Sequence, residues 1–241
     1  MAYKQKRYVF KNAIEIEEFH TARYGAPGMK RLKKKKKTPE QIAWINQRNK
    51  ESRCRRRLRA HFEVNDYFIT MTCAKDMRFR DMQEATKAFG KFCRRLKREY
   101  RKRGYELKFI RNIEVGKRNA WHVHMAINRI PDTDLIVRKL WTFGKVIMQL
   151  IYERGEFKDL AAYLTKSPLT DSRLVDASYS ASRNIPIPEP KEKIYMRWKT
   201  WKEIPKMPKG FYLDPESYHE GENPVTGYPY RVYTLLKIKR E

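Results

Sequence analysis

The chain has 241 residues, with 55 Lys+Arg against 28 Asp+Glu and a formal charge of +27. An excess that large repels itself unless polyanions offset it, so nucleic acid is the expected partner. No apolar run is long enough to span a bilayer, and the opening residues MAYKQKRYVF lack a signal-peptide core, which argues for a soluble, intracellular protein and against a membrane partner.

Residues 1–60 carry 19 Lys+Arg against 5 Glu, including the run Lys33 to Lys37. Such a run reads as a solvated arm that adds electrostatic affinity without reading sequence. Thr38-Pro39-Glu40-Gln41 is a helix start, with Thr as N-cap, Pro at the first position and Gln three residues after the cap. The helix is expected to run to about Ala60 and to end in the stretch RCRRRLRAH. That stretch suits a phosphate backbone, and it suits a merely solvated helix equally.

Tyr67 to Thr72 is β-branched and aromatic, hence a strand. Asp81 to Arg103 is a long amphipathic helix, with Met82, Ala85, Phe89, Phe92, Cys93, Leu96 and Tyr100 at three- and four-residue spacing and Gly104 as its stop. Glu106 to Val115 is the next strand, GKRN a hairpin turn, and Ala120 to Asn128 a third strand. Pro131 to Trp141 is a short helix and Lys145 to Ile151 a fourth strand. A final helix covers about Glu156 to Thr165 and ends before Ser167-Pro168. The order βαββαβ plus one helix predicts an α+β fold of split βαβ type, with an antiparallel sheet, both helices on one face and the other face open to a ligand. Eight of the twelve Pro lie between Pro186 and Pro229, so the last third is expected to be irregular, with strand-like pieces near Ile194 to Trp198 and Tyr230 to Ile238. The chain thus divides into a basic N-terminal arm and helix (1–62), an α+β domain (63–185) and a Pro-rich C-terminal extension packing on the core (186–241). Cys54, Cys73 and Cys93 show no CxxC spacing and are expected as reduced thiols rather than a zinc ribbon. The 15 Tyr, among 13% aromatic residues, suit single strands whose bases stack on rings, although most such rings simply fill core.

The chemistry concentrates in WHVHMAIN, Trp121 to Asn128. In a strand, residues i and i+2 share a face, so His122 and His124 project side by side and two neutral imidazoles can hold one divalent ion. Such a pair is equally at home as stacking histidines on an open sheet. Glu114 lies across the hairpin, where cross-strand neighbours are about 5 Å apart. A set of two His and one carboxylate accepts Mn²⁺ readily and Mg²⁺ in abundance. Tyr163 and Lys166 occupy one face of the last helix at i,i+3 spacing.

Taken in order, these motifs resemble the HUH endonucleases, and within them the rolling-circle replication initiator (Rep) proteins of small phages and plasmids. Phe68-Ile69-Thr70-Met71-Thr72 is similar to the family's first motif, an apolar strand ending in Thr. His122-Val123-His124 matches its His–hydrophobic–His signature, and Tyr163 to Lys166 its YxxK nucleophile motif. Ser182-Arg183-Asn184 is similar to a segment that follows the catalytic helix in phage-type members. The resemblance covers about residues 40 to 190, and Tyr163 follows the histidines as in Rep proteins, whereas relaxases have the reverse order. A single tyrosine in the catalytic helix departs from those Rep proteins that carry two.

The resemblance implies that His122, His124 and Glu114 hold Mg²⁺ or Mn²⁺ and that Tyr163, aided by Lys166, attacks the scissile phosphate of single-stranded origin DNA, which can fold as a hairpin. It further implies a 5′-phosphotyrosine, a free 3′-OH primer and later rejoining, in the cytoplasm of a host cell. No GxxxxGK[ST] motif is present, so a host helicase and polymerase are the implied partners. Arg55, Arg56, Arg57, Arg59, Lys117, Arg118 and Arg183 are the candidate DNA contacts. Two other readings stand beside this one. A non-catalytic RNA- or DNA-binding module shares the βαββαβ sheet, and an HUH transposase shares the motif order.

Overall fold

The computed structural model describes residues 3–20, 37–116, 119–152, 157–166, 179–195, 201–223 and 227–238. Lys33 to Lys36 of the basic run, and Lys117 and Arg118 of the hairpin turn, lie outside the described residues. In chain order the elements are β1 (Tyr3–Val9), β2 (Ala13–His20), α1 (Pro39–His61), β3 (Tyr67–Thr72), α2 (Met82–Lys102), β4 (Phe109–Gly116) and β5 (Ala120–Ile127). They continue with α3 (Thr133–Leu140), β6 (Val146–Leu150), α4 (Lys158–Thr165), β7 (Tyr179–Ala181), β8 (Lys191–Tyr195), β9 (Phe211–Leu213), β10 (His219–Glu222) and β11 (Pro229–Lys237). The fold is α+β, as the alternation of periodicities predicts. Two compact units result, one of residues 1–46 and 188–241, the other of 47–187.

The unit of residues 47–187 holds a five-stranded antiparallel sheet in the order β6-β3-β5-β4-β7. Strict alternation along β5 sends Trp121, Val123, Met125 and Ile127 into one core, with Ile69 and Met71 of β3 and Ile113 of β4. Helices α2 and α3 close that core through Met82, Ala85, Phe89, Phe92, Leu96, Tyr100, Ile136, Val137 and Leu140. Those of α2 are the periodic positions read from the sequence, save that Cys93 is only partly buried there. Asp81 caps α2 by accepting from the Glu84 amide at 2.8 Å, and the chain leaves the helix through Gly104 at φ +79°.

The opposite face of this sheet carries His122, His124 and Ala126 of β5, and here the structure departs from the open surface expected. Cys54 and Leu58 of α1 and Ala161 and Leu164 of α4 pack over Ile110 and Ala126. An apolar pair four residues apart, hidden in the basic stretch, faces the sheet and contributes to seating α1 there. The start of α1 matches the expected capping box, with the Gln41 amide donating to Thr38 Oγ1 (3.3 Å) and the Thr38 amide to Gln41 Oε1 (3.2 Å). All three cysteines are free thiols. Burial pushes the Cys54 thiol up to about 12.

The other unit pairs the beginning of the chain with its end, in the order β10-β11-β2-β1-β8, with β9 also pairing β11. Arg231 Nε donates to Glu18 Oε2 at 2.9 Å, and both side chains are almost wholly buried. Of the strand-like pieces expected over Ile194 to Trp198 and Tyr230 to Ile238, the first overlaps only the end of β8, residues 196–198 lying outside the described residues, and the second corresponds to β11. Among the described residues no helix is long and apolar enough to cross a membrane.

Candidate active site

Antiparallel pairing sets the site by register. On β4 and β5, Glu114 stands opposite His122 and Asn112 opposite His124. On β3, Thr72 stands opposite His122 and Thr70 opposite His124. The HxH motif is therefore flanked by a threonine pair on one side and an Asn–Glu pair on the other, all on the face away from the α2/α3 core.

Helix α4 brings Tyr163 to this face. Its hydroxyl lies 3.0 Å from His124 Nε2 and 3.4 Å from Nδ1, and the two rings meet edge to face at 4.9 Å. Glu114 Oε2 is 3.4 Å from His124 Nε2. Thr70 Oγ1 lies 3.1 Å from His124 Nδ1, and Phe68 stacks parallel to the imidazole at 6.0 Å while meeting Tyr163 edge-on. His124 is only 6% exposed, whereas Tyr163 is 40% exposed, so a buried imidazole supports a phenol that solvent can reach.

Electrostatics follow from this placement. The contact with His124 holds the Glu114 carboxyl below its ordinary value against the opposing effect of burial, and the charges of His124, Lys166 and His122 assist. Burial lowers the His122 pKa, with His124 adding to the effect and Glu114 resisting it, which favours the neutral imidazole. Burial and then the Glu114 charge raise the Tyr163 phenol above its ordinary value. A cation placed at Glu114 would remove the second of those two causes.

Glu114, His122 and His124 supply two imidazoles and a carboxylate on facing positions, a donor chemistry that suits Mn²⁺ or Mg²⁺. Among the described residues the contact is pairwise. Glu114 meets His124, and the His122 ring runs nearly parallel to His124 at 6.1 Å, but no three His, Cys, Asp or Glu are gathered round one point.

The sequence-derived site residues do not all converge. His122, His124, Glu114 and Tyr163 come together, and Lys166 is near enough for its charge to be felt at Glu114. Of the arginines proposed to track a phosphate backbone, Arg56 and Arg59 are buried and Arg55 is half-buried. Arg57 donates to the Ile185 carbonyl at 3.2 Å and lies 3.4 Å from the Tyr179 hydroxyl. Arg56, Arg57 and Arg59 are thus engaged in the unit's own packing, whereas Arg183 is exposed. The segment around Arg183 is structural. Phe109 N donates to Ser182 Oγ (3.1 Å) and Asn184 Nδ2 to the Leu107 carbonyl (3.1 Å), which fixes the entry to β4.

Sequence reasoning missed two members of the site. Thr70 follows from the period of 2 on β3, two residues before Thr72. Asn112 is fully buried two residues before Glu114, and its Nδ2 lies 3.4 Å from Glu114 Oε1. The same alternation that placed the histidines was a signal for both.

Residues 66–168 match a family described as replication-associated protein ORF2. The matched segment is less than half of the chain, and it runs from β3 to just beyond α4, so it contains Thr70, Asn112, Glu114, His122, His124, Tyr163 and Lys166. The likeness is thus consistent with a Rep-type protein. No curated protein and no solved structure matches the chain.

Proposed function

We propose that this chain is a replication initiator that nicks single-stranded DNA at an origin, with Tyr163 as the nucleophile. The observation that carries this reading is the half-exposed Tyr163, whose hydroxyl lies 3.0 Å from the buried His124, beside the Glu114 carboxylate. The likeness of residues 66–168 to replication-associated proteins supports it.

In the step proposed, Tyr163 Oη attacks the scissile phosphorus and the bond from phosphorus to the 3′ oxygen breaks. The phenolic proton is balanced by the proton that the leaving 3′ oxygen gains. The products are a 5′-phosphotyrosine and a free 3′-OH that can prime a polymerase. The covalent link conserves the phosphodiester bond, so the reverse reaction rejoins strands. Glu114, His122 and His124 would hold Mg²⁺ or Mn²⁺, which when bound polarises the phosphoryl oxygens and offsets the charge developing on them. Thr70 and Phe68 hold the His124 ring in place, and Lys166 supplies positive charge beside Glu114. A host helicase and polymerase would act on the nicked product.

The test is incubation with Mn²⁺ and a labelled library of single-stranded oligonucleotides, followed by denaturing electrophoresis. A covalent protein–DNA adduct is expected that EDTA abolishes. Tyr163→Phe should remove the adduct completely while DNA affinity stays within about twofold, since the ring remains and only one hydroxyl is lost. Tight binding without any adduct would favour the non-catalytic binding module, and an adduct that persists in Tyr163→Phe would overturn the assignment of the nucleophile.

A further inference from the structure

Helix α1 lies outside the segment that matches the replication-associated family, yet its second half is built against the helix that carries Tyr163. Cys54 and Leu58 share one cluster with Ala161 and Leu164. One polar contact accompanies this apolar seat. Gln47 Nε2 donates to the Thr165 carbonyl of α4 at 3.2 Å and to Glu51 Oε1, one helical turn on, at 2.8 Å. The amide has two N–H groups, so both are satisfied, and the bond to Glu51 aims the second at Thr165.

We infer that Gln47 is a positioning residue for the nucleophile, holding the last turn of α4 so that Tyr163 stays over His124. The last carbonyls of any helix lack partners within it, and the final turn frays unless something caps them. Helix α4 is only eight residues long, and its N-cap, Phe157, makes no side-chain capping bond. Both Tyr163 and Lys166 belong to the turn that Gln47 grips. At the opposite side of the same residue, the Thr165 hydroxyl donates back to the Ala161 carbonyl at 2.7 Å. Thr165 is thus tied both within α4 and to α1, and the nucleophile sits two residues before it. The catalytic consequence of the clamp rests on the nickase reading, but the clamp itself is a property of the fold.

The test uses the full chain with Gln47→Glu and Gln47→Lys. The first keeps the shape but replaces both donors with a carboxylate facing Glu51 and a carbonyl; the second restores a donor that can reach Thr165. Single-turnover adduct formation should fall about tenfold in Gln47→Glu, because small misplacements of a reacting group cost that much or more. DNA affinity and melting temperature should stay near those of the wild type, and Gln47→Lys should recover most of the rate. In parallel, hydrogen exchange of the amides of residues 163–166 should quicken in Gln47→Glu and return towards wild type in Gln47→Lys. Unchanged exchange and an unchanged adduct rate in Gln47→Glu would overturn the inference. Faster exchange in a protein whose wild type forms no adduct would uphold the clamp and defeat the nickase reading, so the two failures are distinct.

Discussion

A methyl group at position 144 would stand 2.4 Å from the Thr72 carbonyl oxygen and 2.9 Å from the Ala74 amide nitrogen. Gly144 is what lets the loop before β6 dock on the end of β3, where Thr72 N donates to the Lys145 carbonyl and Ala74 N to the Phe143 carbonyl. Both contacts are to backbone, so neither can swing aside. Gly144→Ala should therefore cost about 1–3 kcal/mol, the usual scale of overpacking. A lower urea midpoint at unchanged slope would show it. The site residues have the opposite character, because their positions follow from strand alternation and are legible one residue at a time. His122 and His124 share a face because they are two apart, and Thr70 and Asn112 join them for the same reason. What no single position reveals is that Tyr163, 39 residues beyond His124, ends with its hydroxyl against that imidazole.

The two long helices differ in how much their sequence discloses. In α2 an apolar residue recurs every third or fourth position over the whole length, and the structure buries that stripe as expected. Its cap is equally local. Asp81 accepts from the Glu84 amide at 2.8 Å, while Glu84 Oε2 accepts from the Arg80 amide at 2.8 Å. Asp81→Ala should cost about 1 kcal/mol, the usual value of an N-cap, in thermal or urea unfolding, and a change within error would show the cap to be idle. Helix α1 has no such stripe. Its basic end reads as a surface for phosphate, but Cys54 and Leu58 turn it inward, and Arg56 and Arg59 are buried with them. Strands β1 and β2 were hidden for a related reason. Averaged over residues 1–60 the charge reads as a basic arm, but residues 3–20 hold four Lys+Arg against three Glu, and Lys6 stands opposite Glu17 on one side and Glu192 on the other.

At the scale of the whole chain the excess of 27 positive charges remains to be matched by a partner. If single-stranded DNA is that partner, affinity should fall linearly on a log–log plot against salt. A chain contacting 6–10 phosphates would lose about 10³- to 10⁵-fold between roughly 50 and 200 mM salt. Fluorescence anisotropy with an oligonucleotide lacking the cut site would measure this slope. A slope near zero would remove electrostatics as the source of binding. With Arg56 and Arg59 buried, the exposed cations that could supply this term include Arg48 and Arg53 on the outer side of α1 and Arg183.

The sequence by itself determined the alternation of strands and helices from Tyr67 to Thr165, the α+β class, the cap and buried stripe of α2, and the side-by-side histidines. Each depends on a period of 2 or 3.6 or on a cap within three residues, and such local preferences act before distant parts of the chain meet. Only the tertiary structure decided the rest. It placed Tyr163 over His124, gave Gln47 its grip on Thr165, and paired Glu18 with Arg231, 213 residues away, in a second sheet. Contacts of that kind are selected by the complementary shape and charge of surfaces that exist only once the strands have paired and the helices have packed. No window of the sequence contains both partners.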